Sequence, residues 1–226
     1  MHKEDFITPN SSLGEGIRCI TVSKDNLLNR NFVKEKKEIL KELELVIGIP
    51  IITMNQVHGA CVEEIYTNSK RTIEADALYS SSSDLALGVF TADCLPIAVS
   101  YEDGSRFGII HAGWRGLSKG ILDNFLYKFN DSHSDINAWL GPCITKSNYE
   151  VGEDVYLSFT EQKEYFTIKG NKKWLFDLSG LATRRLELEK VKTYSSGLCT
   201  YEEERLFSFR RNKTSSRMIT LVWREK

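Results

Sequence analysis

Long apolar runs are missing from this chain: no stretch of about 18 hydrophobic residues occurs, so no transmembrane helix is expected and no membrane partner. The opening MHKEDFITPNSS is polar and lacks the apolar core of a secretory signal, which makes the cytoplasm the expected location. A surplus of charge of one sign is also missing, with 30 Lys and Arg against 31 Asp and Glu and a formal net charge of -1. That balance exerts no long-range pull on nucleic acid, and no nucleic acid is expected as a partner; an anionic ligand must be met by local groups. Paired cysteines are missing as well. The five, Cys19, Cys61, Cys94, Cys143 and Cys199, stand singly with no CxxC spacing, which argues against a disulfide framework or a closed structural zinc site. Reduced thiols are expected, and all but Cys94 read as small buried hydrophobes. Histidine is scarce, at positions 2, 58, 111 and 133.

What is present is a globular composition. The 226 residues are 41% hydrophobic and 27% charged, enough for a real core. No repeat, low-complexity tract or linker divides residues 1–226, so a single α/β domain is expected. Branched and aromatic runs predict strands at residues 16–23, 49–54, 61–66, 85–91, 95–101, 106–112, 136–140, 172–177, 191–193 and 218–223. Asp25 is a candidate cap for a charged helix whose apolar positions Phe32, Val33, Ile39, Leu40, Leu43 and Val46 recur near helical spacing. Further helices are expected over residues 117–129, 148–161 and 178–190, while the EADALYS stretch resists assignment. Ala92-Asp93-Cys94 interrupts two strand pieces, and Pro96, unable to donate to a ladder, marks a break there. Asp103-Gly104 is a hairpin signal that folds Cys94 back toward His111.

The chemistry-bearing residues concentrate between Gly88 and Gly116. His58 and His111 each end an apolar strand just before a glycine, at exits where functional groups gather. If His58, Cys94 and His111 converge, two imidazoles and a thiolate form a three-ligand zinc site with its fourth position open, as catalytic sites have. The same atoms serve a second chemistry, with Cys94 as thiolate nucleophile, His111 as its base and backbone N–H groups as an oxyanion hole, giving a metal-free cysteine hydrolase or deamidase. Bare chemistry leaves both open. The turn Gly113-Trp114-Arg115-Gly116 opens a helix in a way that suits an anion, with Arg115 as reinforcement, though a tight bend accounts for the same glycines. Arg210, Arg211, Lys213 and Arg217 form either a solvated surface patch or an anion site. Asp76 reads equally as a functional carboxylate and as a loop cap.

Several phrases carry a resemblance: Gln56-Val57-His58-Gly59, Ala75-Asp76-Ala77, Thr91-Ala92-Asp93-Cys94-Leu95-Pro96, His111-Ala112-Gly113-Trp114-Arg115-Gly116 and Gly141-Pro142-Cys143-Ile144. Tyr149-Glu150-Val151-Gly152 and Phe207-Ser208-Phe209-Arg210-Arg211 continue it in the same order. In these the chain resembles the YfiH-like laccase-domain family, once described as polyphenol oxidases and better understood as purine nucleoside phosphorylases with adenosine deaminase and methylthioadenosine phosphorylase activity. The resemblance implies a layered α/β sandwich with mixed sheets, related to the cysteine deamidase toxin fold. It implies a zinc held by His58, Cys94 and His111, with copper as the alternative metal, and a purine nucleoside and phosphate as substrates. Within that frame Cys94, His111, Asp93 and Arg115 are the expected catalytic residues, and Asn55, Gln56, Asp76, Arg210 and Arg211 the expected substrate contacts. Editing of peptidoglycan precursors is a further activity connected with members. The chain departs from the family pattern in three places: no glycine-rich opening precedes Ser23, Ser215-Ser216-Arg217 stands where a threonine-glycine-arginine element is typical, and no asparagine lies near Thr183.

Overall fold

The computed structural model describes residues 6–24, 36–130 and 135–226. The proposed cap at Asp25 and the apolar positions Phe32 and Val33 lie outside these residues, as do His2 and His133. Among the described residues, fourteen strands form three sheets. The first sheet holds β1 (Ile17–Val22), β2 (Ile51–Asn55), β4 (Thr72–Glu74), β6 (Ala86–Thr91) and β14 (Met218–Arg224), in the order β1-β14-β6-β2-β4. The second holds β3 (Val62–Glu64), β5 (Ala77–Ser80), β7 (Leu95–Tyr101), β8 (Phe107–Ala112), β9 (Ile136–Leu140) and β13 (Lys192–Ser195), in the order β13-β9-β7-β8-β5-β3. Both mix parallel and antiparallel pairs. A small antiparallel sheet is made by β10 (Glu150–Val151), β11 (Phe166–Gly170) and β12 (Lys173–Phe176).

Every residue of β6, β7 and β8 is buried, so these strands are covered on both faces, which is why they read as continuous apolar runs. The two large sheets pack on each other through Leu87, Val89, Ala98, Phe107, Ile109, Trp139, Met218 and Val222. Helix α1 (Lys36–Ile47) covers the outer face of the first sheet with Ile39 and Leu43. The outer face of the second is covered by α2 (Trp114–Ser118), α3 (Ile121–Phe129) and α5 (Leu178–Leu188), through Leu117, Ile121, Phe125 and Leu181. Two further helices are short, α4 (Glu153–Leu157) and α6 (Phe209–Asn212). The layering is therefore helix, sheet, sheet, helix, as the resemblance implied. No helix among the described residues is long and apolar enough to cross a membrane.

Four expectations change. The runs 85–91 and 95–101 are two strands of different sheets, because Ala92-Asp93-Cys94 carries the chain from one sheet to the other. The single helix over 117–129 is two, divided where Gly120 adopts a left-handed φ of 80°. The helix over 148–161 shrinks to α4, since Glu150 and Val151 pair with Leu175 and Trp174 as β10 and their backbone groups serve a ladder instead. Cys61, read as a buried hydrophobe, is exposed.

Candidate metal centre

Strand β2 delivers the first element of the site. Beyond its end the Gln56 side chain imitates a further backbone pair, donating from Nε2 to the Phe90 carbonyl at 2.7 Å and accepting the Phe90 N–H at 3.3 Å. That anchors the exit of β2 to β6. The chain then turns at His58, which holds a left-handed φ of 56° that costs a non-glycine residue energy and needs support. Support comes from Asp76, fully buried just before β5, whose carboxylate accepts the N–H groups of His58 at 3.0 Å and Gly59 at 2.6 Å.

The same carboxylate meets His111 Nδ1 at 2.9 Å, and the His111 N–H donates to the Asp76 carbonyl at 2.8 Å. His111 is 2% exposed. In β8 it shares with Phe107 and Ile109 the face turned to the other sheet. Because Pro96 pairs with His111 and Leu95 with Ala112, the hairpin register sets Cys94 just past the His111 level. One ligand atom from each of His58, Cys94 and His111 lies within 4.8 Å of the others, and the two imidazoles meet edge to face with centroids 4.8 Å apart.

The electrostatics follow from these contacts. Burial disfavours the Cys94 thiolate, but His111 and His58 outweigh it and bring the thiol down to about 6. Burial likewise disfavours the His111 imidazolium, but Asp76 and Cys94 raise it to about 9. Asp76 resists its own burial and stays below the usual carboxylate range, held there by His111 and by the N–H groups of Gly59 and His58. A thiolate and two imidazoles, one steered by a carboxylate on its far nitrogen, form the donor set of a borderline-soft divalent metal with a position left open. The residues present therefore fit a metal. Gly113 leaves room beside two of the donors: a Cβ there would come within 3.2 Å of Cys94 Sγ and 3.7 Å of His111 Nε2. Gly116 lets α2 approach the His58 turn, since its Cβ would come within 3.0 Å of the Gly59 carbonyl oxygen.

The other expected residues are distributed around this centre. Asp93 takes a left-handed φ of 89° beside Cys94, and its carboxylate accepts the Thr200 hydroxyl at 2.6 Å and the Arg210 N–H at 2.6 Å. Arg210 donates from Nη1 to the Glu150 carbonyl at 2.7 Å and lies over the Tyr149 ring. Arg115 is exposed and stacks on Trp114 at 4.3 Å. Asn55 is exposed at the end of β2. Three expected substrate contacts are otherwise engaged. Asp76 is sealed beneath the histidines, Gln56 pairs with backbone, and the Arg211 guanidinium is consumed by the carbonyls of Thr200, Tyr201, Glu203 and Leu206. Two residues had been assigned no role in the sequence. Thr200 meets Asp93 from 107 positions away, beyond any local pattern. Tyr149, noted only within a motif, is half-buried beside Arg210, and burial together with the nearby Cys94 charge pushes its hydroxyl above the usual phenol range.

Residues 24–225 match the family model described as multi-copper polyphenol oxidoreductase laccase. The purine nucleoside phosphorylase of Xylella fastidiosa (strain Temecula1) is 35% identical over 230 residues, covering 93% of this chain and 88% of the relative. The purine nucleoside phosphorylase YfiH of Escherichia coli K12 is 33% identical over 222 residues, covering 96% and 88%. Among solved structures, a Neisseria meningitidis protein superposes with a TM-score of 0.87 at 27% identity, covering 98% of this chain and 100% of that one. YlmD from Geobacillus stearothermophilus gives 0.83 at 19% identity, covering 100% and 98%, a likeness of fold.

Proposed function

We propose, from the premise that this chain belongs to the multi-copper polyphenol oxidoreductase laccase family, that it is a zinc-dependent purine nucleoside phosphorylase acting on adenosine, inosine or methylthioadenosine. The observation that carries the reading is the convergence of His58, Cys94 and His111 within 4.8 Å. Zinc held by these three would supply Lewis acidity at the open position. In the reaction a phosphate oxygen bonds to the anomeric carbon of ribose while the glycosidic bond breaks. Its electron pair leaves with the purine, which takes up a proton, and ribose 1-phosphate forms.

The chain's own residues arrange this. Asp76 fixes the His111 ring and the His58 turn together, so both imidazoles face one point. Arg115 is the exposed guanidinium of this region, and Arg210 is held over Tyr149 with one donor nitrogen spent; these two are the phosphate-holding groups in this reading. Asp93 sits between Cys94 and Arg210 and couples the metal side to the phosphate side. Asn55, exposed at the end of β2, is the remaining polar contact for the nucleoside in this reading. Adenosine deamination would draw on the same centre, with water in place of phosphate.

The test is phosphate-dependent release of base. Zinc-loaded protein is incubated with adenosine and with inosine, with and without phosphate, and free base and ribose 1-phosphate are measured. Equimolar appearance of both supports the reading; no phosphate-dependent base release overturns it. The lowered Cys94 thiol beside a raised His111 favours one second reading, a metal-free cysteine hydrolase. Full activity after chelation, abolished by alkylation of Cys94, would establish that chemistry instead.

A further inference from the structure

We infer that Thr200 is a positioning residue for Cys94, acting through Asp93; the inference rests on the reading of His58, Cys94 and His111 as a metal centre. It starts from the backbone. Asp93 holds φ at 89°, a region that non-glycine residues enter at a cost and keep only when the surroundings over-determine it. That residue immediately precedes Cys94, so its dihedrals aim the thiolate. Three contacts hold it: the Ile144 N–H donates to its carbonyl at 3.0 Å, the Arg210 N–H to Oδ2 at 2.6 Å, and the Thr200 hydroxyl to Oδ1 at 2.6 Å.

Thr200 is the side-chain member of this set and is itself fixed. It is fully buried, and its N–H donates to the Cys143 carbonyl at 2.9 Å, so the hydroxyl arrives already placed. A hydroxyl bonded to a carboxylate is a charge-assisted contact, shorter and stronger than a neutral one. Without it, Asp93 is held only by the Ile144 and Arg210 N–H groups, and its backbone relaxes toward an ordinary conformation that swings Cys94 Sγ away from the imidazoles. Thr200 touches neither metal nor substrate; its effect is on the direction of the thiolate.

The experiment compares wild type, Thr200→Val, which removes the hydroxyl at constant shape, and Thr200→Ser, which restores it. Zinc affinity is measured by competition with a chromogenic chelator, and cobalt(II) substitution reports the thiolate-to-metal charge-transfer band. The expected result is that Thr200→Val weakens zinc binding by about 10- to 100-fold and reduces the band, as loss of a partner behind a ligand does, while Thr200→Ser recovers both. Should Thr200→Val fail to fold, Asp93→Asn, which weakens the same contact at constant shape, carries the same expectation. Wild-type affinity and an unchanged band in a folded variant overturn the inference, even if its melting temperature falls. Wild type that takes up no metal overturns the metal reading itself, a separate outcome visible before any variant is made.

Discussion

At Cys94 the decisive quantity is the charge of one sulfur. A thiol ordinarily ionises near 8.5, and burial alone would move it higher. Here the neighbouring His111 and His58 reverse the sign and bring it to about 6. Its contribution to stability is therefore fully present above the unfolded thiol value and is lost as pH falls through about 6. In protein stripped of metal by a chelator, ultraviolet thiolate absorbance should rise with a midpoint near pH 6, and His111→Asn should shift that midpoint upward toward the ordinary thiol value. An unshifted midpoint in the variant would mean that His111 does not set the thiolate. Asp76 teaches the limit of reading single residues: a functional carboxylate and a loop cap were equal readings, and its Oδ1 both accepts the His58 N–H and meets His111 Nδ1 while its Oδ2 accepts the Gly59 N–H. The three partners come from positions 58, 59 and 111, and no pattern local to Asp76 indicates them.

Among the elements, the β7–β8 hairpin and the entry to α2 shape the centre. The hairpin was legible because Asp103-Gly104 lies between two apolar runs, and Gly104 uses its freedom there: φ is 67° and a Cβ would lie 1.9 Å from the Glu15 carbonyl oxygen. The register that lifts Cys94 to His111 was not legible, since a slip by one residue preserves the apolar character of strands buried on both faces. The Gly113-Trp114-Arg115-Gly116 turn was read as an anion cradle or a tight bend. Gly113 has an ordinary extended backbone, φ -76° and ψ 163°, so conformation does not require glycine there; a Cβ would instead crowd Cys94 Sγ at 3.2 Å. Gly113→Ala should accordingly weaken metal uptake at least tenfold, by about 1.4 kcal/mol or more, while the melting temperature of the metal-stripped protein stays close to wild type. Isothermal titration with zinc and a thermal melt without it separate the two effects. Equal zinc affinity would show that the alanine methyl is accommodated.

On the scale of the whole molecule, the candidate ligands join layers. His58 leaves the first sheet, His111 belongs to the second, and Cys94 sits on the segment that crosses between them. An ion held by all three ties the two sheets at the rim of their shared core. Binding to the folded state alone stabilises by about 2.7 kcal/mol at a free metal concentration 100 times the dissociation constant. For a chain of this size that corresponds to a rise in melting temperature of roughly 5 to 10 °C. The rise should follow zinc concentration in a thermal-shift titration and vanish in His58→Ala, whose exposed side chain contributes little to the core. A His58→Ala protein that still gains the full shift would locate the metal elsewhere.

The amino-acid sequence by itself determined where ten of the strands run, though not β4, β5, β10 or β11, and which three side chains have the chemistry to share an ion. These follow from properties written locally: apolar runs, turn residues and donor type. The tertiary structure alone decided that Ala92-Asp93-Cys94 changes sheets, that Arg211 and Gln56 hydrogen-bond to backbone, that Asp76 holds His58 and His111 together, and that Thr200 meets Asp93. Each depends on contacts between residues far apart in the chain, and such contacts are settled by how whole layers pack, a long-range outcome that no local run of residues encodes.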